Sequence, residues 1–258
     1  MKRIFLPVLV LCIVSLVSCM DNTNTIDSDA DSTNTASSPA STDSVANSLT
    51  QADKDAGWKL LFDGDDLDQW RVYQDKTNNT WSAKNGTLYC MGSETDKSDL
   101  RGDLITKDEF ENFELMIDWK IATAGNSGLM FNVLEDSKAA YMSGPEYQMM
   151  DDIGYTDSLE DWQKTGANYA MNVASKPMAK PAGEWNHSRL LVNKGHVEHW
   201  LNGEKVVEYE LWSDEWKANK AKGKWKDTPE YGMAKKGHLA LQDHGSEAWF
   251  RNIKIKEL

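Results

Sequence analysis

Two polar side chains able to do chemistry, Glu146 and Gln148, lie two positions apart on a short predicted strand. Side chains alternate across a strand, so Glu146 and Gln148 share one face while Tyr147 and Met149 share the other. A carboxylate and an amide on one face, backed by an apolar face, suit a surface that binds a sugar. A solvated strand face shows the same alternation, and the spacing alone leaves both interpretations open.

A second set of polar groups comes at the end of another predicted strand, residues 238–242. Gln242 and His244 share a face if this strand continues to Gly245. Sites concentrate where regular elements give way to loops, and an imidazole accepts a proton near neutral pH, so His244 is a candidate general base. His199 is the second candidate histidine, and its strand would equally hold it as a hydrogen-bonded core residue.

Further polar residues lie close to these strands in the sequence. Asn126 and Ser127 occupy a predicted tight turn, from which they could offer hydrogen bonds at the rim of a site. Lys120 ends a predicted strand, where it is either a solvated side chain or a cation that stabilises a developing oxyanion. Asp243 has the opposite parity to its two neighbours, which favours a role in supporting a loop or Arg251.

A metal site is the one cofactor that the residue types leave open. Glu146, Asp151 and Asp152, together with a histidine, offer the ligand atoms that a divalent cation takes. No ligand spacing in the sequence demands such a site, so the metal ligands stay unassigned. No phosphate-binding loop, dinucleotide-binding motif or nucleophile elbow is present.

Short strands must position these groups. Residues 113–121 and 197–201 alternate apolar and polar side chains, and Asn-Gly pairs at 85–86 and 202–203 predict tight hairpin turns. Strands separated by Gly, Asn and Asp turns indicate an all-β sandwich. One short helix is predicted after Ser213, a good N-cap residue that acidic and then basic residues follow.

The start of the chain predicts a lipoprotein. Residues 1–18 form a basic segment and an apolar run that ends at Cys19, as in a bacterial signal peptide whose removal leaves a lipidated cysteine. Residues 19–53 are rich in Asp, Asn, Ser and Thr and are predicted to be a disordered acidic tether. The folded domain then spans 54–258. We expect a lipid-anchored protein of the cell envelope, at the outer membrane or the periplasmic face.

The charge of the chain restricts its partners. The 41 acidic and 28 basic residues give a net charge of -13, which repels the phosphates of nucleic acids and disfavours adsorption to anionic lipid. We therefore expect no nucleic-acid partner, and contact with a membrane through the N-terminal lipid only. The eleven tryptophans could fill a sandwich core or stack on sugars. Their number alone does not decide between these two roles.

These segments together resemble the 3-keto-disaccharide hydrolase domain, also described as 3-keto-α-glucoside 1,2-lyase/3-keto-2-hydroxy-glucal hydratase, from residue 57 to residue 258. The matching segments are Trp58–Gly64, Asn112–Leu115, Trp119–Lys120, Gly125–Gly128, Glu146–Gln148, Gly183–Asn186, His199–Gly203, Gly237–Gly245 and Phe250–Ile253. The resemblance implies a concanavalin-like jelly-roll β-sandwich with a sugar site on its concave face. It also implies a small-molecule carbohydrate as the partner.

The chemistry that the resemblance implies is an elimination. A ketone at C3 of a glucosyl unit acidifies the C2 proton, a base removes it, and the charge moves onto the C3 oxygen as an enolate. The aglycone then leaves from C1, and water adds to the resulting enone. This route needs a base, a group that stabilises the enolate and an acid for the leaving group. It does not need the carboxylate pair of ordinary glycosidases.

On this hypothesis the base is His244 or Glu146, His199 is a further catalytic candidate, and Lys120 or a bound cation stabilises the enolate. The residues expected to contact the substrate are Asn126, Ser127, Gln148, Gln242 and Trp185. Two alternatives stay open at this point. One is a non-catalytic carbohydrate-binding lipoprotein, since lectins and enzymes share this fold. The other is an ordinary glycoside hydrolase.

Overall fold

The structure, a computed structural model, describes residues 46–93 and 100–258. The predicted signal peptide, Cys19 and the tether as far as residue 45 lie outside the described residues. Within the described ranges the helices are α1 (Gln51–Asp55) and α2 (Asp214–Lys222), with three 3-10 turns at Tyr73–Asp75, Ala140–Met142 and Asp161–Gln163. The strands are β1 (Lys59–Leu60), β2 (Trp70–Val72), β3 (Trp81–Lys84), β4 (Thr87–Cys90), β5 (Leu104–Thr106), β6 (Phe113–Ile121), β7 (Asn126–Val133), β8 (Glu146–Met150), β9 (Asn186–Asn193), β10 (His196–Leu201), β11 (Glu204–Glu210), β12 (His238–Leu241) and β13 (Ala248–Glu257).

These strands form two antiparallel sheets that pack face to face. One sheet has the order β11-β10-β9-β6-β13-β4-β3, with β1 also paired to β13, and the other has the order β2-β5-β12-β7-β8. The predicted all-β jelly-roll sandwich is confirmed. In the second sheet β7 lies between β8 and β12, so the two predicted strands with polar faces are separated by a single strand.

The alternation that predicted the strands places one face of each strand in the core. Along β6 every second residue is buried, from Phe113 to Ile121, because these side chains fill the space between the sheets. The hairpin turns also form as predicted, with positive φ at Asn85 and Gly86 and at Asn202 and Gly203. Such backbone angles at both turn residues match the twist of the flanking strands, and Asn and Gly adopt them readily.

Helix α2 confirms the predicted helix. The Ser213 side chain accepts a hydrogen bond from the backbone N–H of Trp216, which satisfies one of the free donors in the first turn. The helix buries Trp216 against the sandwich and exposes most of its other side chains. Among residues 46–93 and 100–258, no helix combines the length and the apolar character needed to cross a membrane.

The folded part begins earlier in the chain than residue 54. The Asn47 side chain donates a 2.8 Å hydrogen bond to the Gly86 carbonyl, and its oxygen accepts a 2.8 Å bond from the Asn252 backbone. Thr50 and Asp53 cap helix α1 reciprocally. A composition argument does not detect these contacts, because polar side chains here satisfy backbone groups of the domain.

Candidate active site

A cavity of about 320 Å³ lies on the face of the five-stranded sheet that points away from the other sheet. The orientation follows from Tyr147, whose hydroxyl contacts Ser188 and the Trp200 carbonyl of the eight-stranded sheet, each at 3.0 Å. Its neighbours along β8 therefore face the opposite way, as predicted from their parity. The residues that line the cavity are Asn126, Tyr141, Glu146, Gln148, Tyr169, Lys224, Trp225, Gln242 and His244.

Five of the predicted site residues meet in this cavity and form what we call the polar wall: Asn126, Glu146, Gln148, Gln242 and His244. Three adjacent strands position them. Glu146 and Gln148 belong to β8, Asn126 begins β7, and Gln242 and His244 follow β12 directly. Three of the five residues thus lie on paired strands, which hold their side chains in defined positions.

Glu146 lies at the bottom of the cavity, with 4% of its surface exposed. Gly128 faces it on β7, where a β-carbon would lie 2.2 Å from Glu146 Oε1. The glycine therefore provides the space that the carboxyl group fills. Burial raises the pKa of Glu146 to about 8, the negative charge of Asp103 adds to this rise, and Lys224 opposes it. At neutral pH the group is mainly a protonated carboxylic acid.

The amide groups of the polar wall carry free acceptors. The side-chain oxygens of Asn126, Gln148 and Gln242 are buried and have no hydrogen-bond partner within the described ranges. Buried polar atoms are normally paired, so these three oxygens beside one cavity are acceptors with which hydroxyl donors can pair. Ser127, predicted to contact substrate, instead donates a 2.8 Å bond to the Gln242 carbonyl and so holds that residue in place.

The exposed His244 is held by a buried network beneath it. Asp243 accepts hydrogen bonds from Arg101 at 2.5 Å, from Thr80 at 2.7 Å and from the Gly245 backbone at 3.1 Å. Its support of this loop agrees with the prediction from parity. The predicted alternative partner, Arg251, is wrong, because the guanidinium that reaches Asp243 comes from Arg101.

The other residues that line the cavity, which we call the aromatic wall, are Tyr141, Tyr169, Lys224 and Trp225. The Lys224 Nζ atom lies 4.3 Å from the centroid of the Tyr169 ring and 4.9 Å from that of Trp225. Sequence reasoning missed all four residues, because they lie outside the strands and no periodicity marks them. The adjacent Lys224 and Trp225, in a chain rich in tryptophan, were the available signal.

Three predicted site residues lie elsewhere. His199 is fully buried on β10, stacked on Tyr147, and its Nδ1 atom lies 2.9 Å from the Gly166 carbonyl. Burial lowers the pKa of His199 to about 4, so it is a neutral core residue. A hydrogen-bonded core position is the alternative to a catalytic role that the strand of His199 left open.

Lys120 and Trp185 also lie apart from the cavity. The Lys120 Nζ atom lies 4.6 Å from the ring centroid of Trp249 and 5.2 Å from that of Trp185. The Arg251 guanidinium packs on Trp185 as well, at 4.0 Å. These side chains form a cation–aromatic cluster on the eight-stranded sheet, and the cation that lines the cavity is Lys224 instead.

The carboxylates considered as metal ligands are separated in the structure. Asp151 accepts hydrogen bonds from the backbone of Ala124 and Gly154, and Asp152 accepts from Thr165. Neither lines the cavity with Glu146, so the predicted combination does not form. In the described part of the chain, ligand atoms of His196, Glu198 and Glu208 lie within 4.8 Å of one another, but Lys205 already pairs with both glutamates.

The fold and the cavity define a class of protein. A two-sheet sandwich with amides, a carboxyl group, an imidazole and aromatic rings around one cavity has the groups that bind a carbohydrate. Residues 57–256 match the model of the 3-keto-alpha-glucoside-1,2-lyase-like domain, and the chain belongs to this family. The match covers every residue of both walls.

Similar proteins are found in two bacterial species, Bacteroides thetaiotaomicron and Parabacteroides distasonis. A protein of Bacteroides thetaiotaomicron named 3-keto-disaccharide hydrolase is 34% identical over 229 residues, which cover 78% of this chain and 79% of that protein. A crystal structure of a protein from Parabacteroides distasonis, assigned as a glycosyl hydrolase, is 40% identical with a TM-score of 0.77, covering 83% of this chain and 100% of that one. A second such structure is 30% identical, with a TM-score of 0.61 and coverages of 78% and 99%.

Proposed function

We propose that the protein cleaves 3-keto-glucosides by removing the C2 proton, eliminating the aglycone and hydrating the product. The family assignment and the names of the relatives support a carbohydrate-cleaving enzyme of the glycosyl-hydrolase type. The observation that carries the finer proposal is the pairing of a buried acid, Glu146, with an exposed imidazole, His244, in a cavity that also holds three unpaired amide oxygens.

The two titratable groups divide the proton transfers between them. Glu146, whose pKa is raised to about 8, holds a proton at neutral pH and therefore acts as a donor. It donates a hydrogen bond to the C3 ketone oxygen and transfers its proton as negative charge develops there. His244 is the base that removes the C2 proton. The amide oxygens of Asn126, Gln148 and Gln242 accept hydrogen bonds from the sugar hydroxyls.

The remaining steps balance the reaction. The Glu146 carboxylate takes the proton back from the C3 hydroxyl of the enol, and the C3 ketone re-forms. The C1–O bond breaks, a C1–C2 double bond forms, and the aglycone oxygen takes up the proton held by His244. Water then adds across the double bond, with its oxygen on C1 and a proton on C2. The products are a free 3-keto-sugar and the aglycone, and both side chains return to their starting protonation states.

An ordinary glycoside hydrolase is less well supported by this cavity. Retaining and inverting glycosidases use two carboxyl groups on either side of the scissile bond. Of the described residues that line the cavity, only Glu146 carries a carboxyl group. A ketone changes this requirement, because the acidified C2 proton lets one base begin the cleavage.

The test is turnover by the full chain on 3-keto-trehalose and on unoxidised trehalose, with and without EDTA. We expect turnover of the keto-sugar alone, and losses of about 100-fold or more in kcat for Glu146→Gln and His244→Gln. Glu184→Gln, at an exposed turn, is the matched control and should keep full activity. Turnover of both sugars would indicate an ordinary glycosidase. Sugar binding without turnover of either would indicate a binding protein.

We further propose that the protein is anchored to the cell envelope through a lipid on Cys19. The support is the sequence pattern of residues 1–19. Cells that express the wild-type chain should incorporate labelled palmitate into it and keep it in the membrane fraction. Cys19→Ser should remove both signals, and persistent labelling of that variant would exclude Cys19 as the modified residue.

A further inference from the structure

The two walls of the cavity differ in chemistry. The polar wall carries the groups that a hydroxylated keto-sugar needs, whereas the aromatic wall offers ring faces and one positive charge. A glucoside also has two parts, the sugar and the leaving group. Since the acid and the base of the proposed reaction both belong to the polar wall, we place the sugar against that wall and its leaving group against the aromatic wall.

The aromatic wall is rigid at its base and open at its rim. Trp225 is 3% exposed and stacks on the buried Tyr231, with ring centroids 4.1 Å apart and ring planes within 8°. Tyr141 lies next to Trp225, at 6.4 Å between centroids, and is 43% exposed. An exposed aromatic ring beside a cavity provides a surface on which a planar group can stack.

The charge on this wall is not neutralised by a carboxylate. Lys224 forms no ion pair with any residue in the described ranges and lies over the rings of Tyr169 and Trp225. The chain as a whole carries a net charge of -13, so anions are repelled from most of its surface. At this cavity the Lys224 ammonium group is available to pair with an anion.

We propose that Tyr141 and Lys224 form a leaving-group subsite that selects aglycones with an aromatic ring and a carboxylate. The ring stacks on Tyr141, and the carboxylate pairs with the Lys224 ammonium group. A second neutral sugar could stack on Tyr141 but would leave Lys224 without a counter-charge. This inference rests on the proposed function for its orientation, since it assigns the leaving group to the aromatic wall.

The test measures binding separately from turnover. The probes are 4-carboxyphenyl glucoside and its neutral counterpart 4-carbamoylphenyl glucoside, each as both anomers. Neither carries the C3 ketone, so both report equilibrium binding to the full chain. We expect the carboxylate to bind about fivefold more tightly, the ratio that a partly exposed ion pair supports. Lys224→Met should abolish this ratio, and Lys224→Arg should retain it.

Two further variants separate the contributions. Tyr141→Ala should weaken both probes by a similar factor, because it removes the stacking surface and leaves the charge. Lys235→Met is the matched control: Lys235 also lies over a tryptophan, 5.7 Å from the Trp212 centroid, but lines a different cavity. It should leave the ratio unchanged, which excludes an effect of net charge alone.

Three results would each overturn the subsite: equal binding of the two probes, binding of neither probe, or an unchanged binding ratio in Lys224→Met. The proposed function is judged independently, by turnover of 3-keto-trehalose, which carries no carboxylate. If that sugar is cleaved but the probes bind equally, the subsite fails and the function stands. If the ratio behaves as expected but no keto-sugar is cleaved, the subsite stands as an anion-selective binding site and the catalytic proposal fails.

Discussion

The buried carboxyl group of Glu146 should make the protein less stable as the pH rises. Its pKa increases from the ordinary 4.5 to about 8 on folding. Between these values the folded chain keeps a proton that the unfolded chain has lost, so unfolding releases a proton and the free energy of unfolding falls with pH. The total loss corresponds to about 5 kcal/mol, reached as the pH passes about 8.

Glu146→Gln removes the titrating group and keeps its size, so the variant should not show this decline. The difference in unfolding free energy, variant minus wild type, should grow by about 3 kcal/mol between pH 5.5 and 7.5. Urea unfolding followed by tryptophan fluorescence measures it at each pH. Working with the difference cancels other titrating groups, including Asp103, whose pKa burial raises to about 6.

The control for this experiment is Glu184→Gln, which neutralises an exposed carboxylate and should follow the wild-type curve. Parallel curves for the wild type and Glu146→Gln would refute the reasoning, because they would mean that the carboxyl group is as well solvated in the folded protein as in the unfolded chain. Its role as a proton donor at neutral pH would then fall as well.

Three further predictions concern residues that support the side chains of the polar wall. Gly128→Ala places a β-carbon 2.2 Å from Glu146 Oε1 and should lower kcat/KM on 3-keto-trehalose by about tenfold or more; an unchanged value would mean that Glu146 can move without loss. Asp243→Asn weakens the charge pair with Arg101 under His244, and should cost about 3 kcal/mol in urea unfolding and lower kcat; a variant as stable as wild type would contradict the supporting role. Tyr147→Phe loses two hydrogen bonds to the other sheet and should cost about 1–3 kcal/mol with kcat/KM unchanged, so an altered rate would place Tyr147 at the site.

Strand periodicity explains what could be predicted of this site. A period of two residues assigns Glu146 and Gln148 to the same face of their strand. It likewise assigns Gln242 and His244 to the same face of theirs, without any knowledge of tertiary structure. The structure joins these faces because β7 pairs with both β8 and β12. The same periodicity left His199 ambiguous, since an inward-facing polar residue has the same pattern whether it lines a site or is buried in the core.

The remaining features of the site and the fold depend on contacts between residues that are far apart in the sequence. Tyr141, Tyr169 and Trp225 come from three separate segments between strands, and no local pattern records that these segments converge. Lys120 satisfied the chemical requirement for a cation as well as Lys224 does, but only the fold shows which of the two lines the cavity. The contacts of Asn47 with the domain could not be predicted either. They are hydrogen bonds to Gly86 and Asn252, which lie 39 and 205 positions further along the chain.

The separation of the cavity into a wall carried by strands and a wall carried by connecting segments has an evolutionary consequence. On the proposed function, changes in residues such as Tyr141 and Lys224 would alter which leaving group is accepted without disturbing the β8 carboxyl group or the strand pairing behind it. Loops accept substitutions and insertions that a paired strand does not. Duplicated copies of such a gene could therefore diverge toward different glucosides while keeping the reaction proposed for the strand residues.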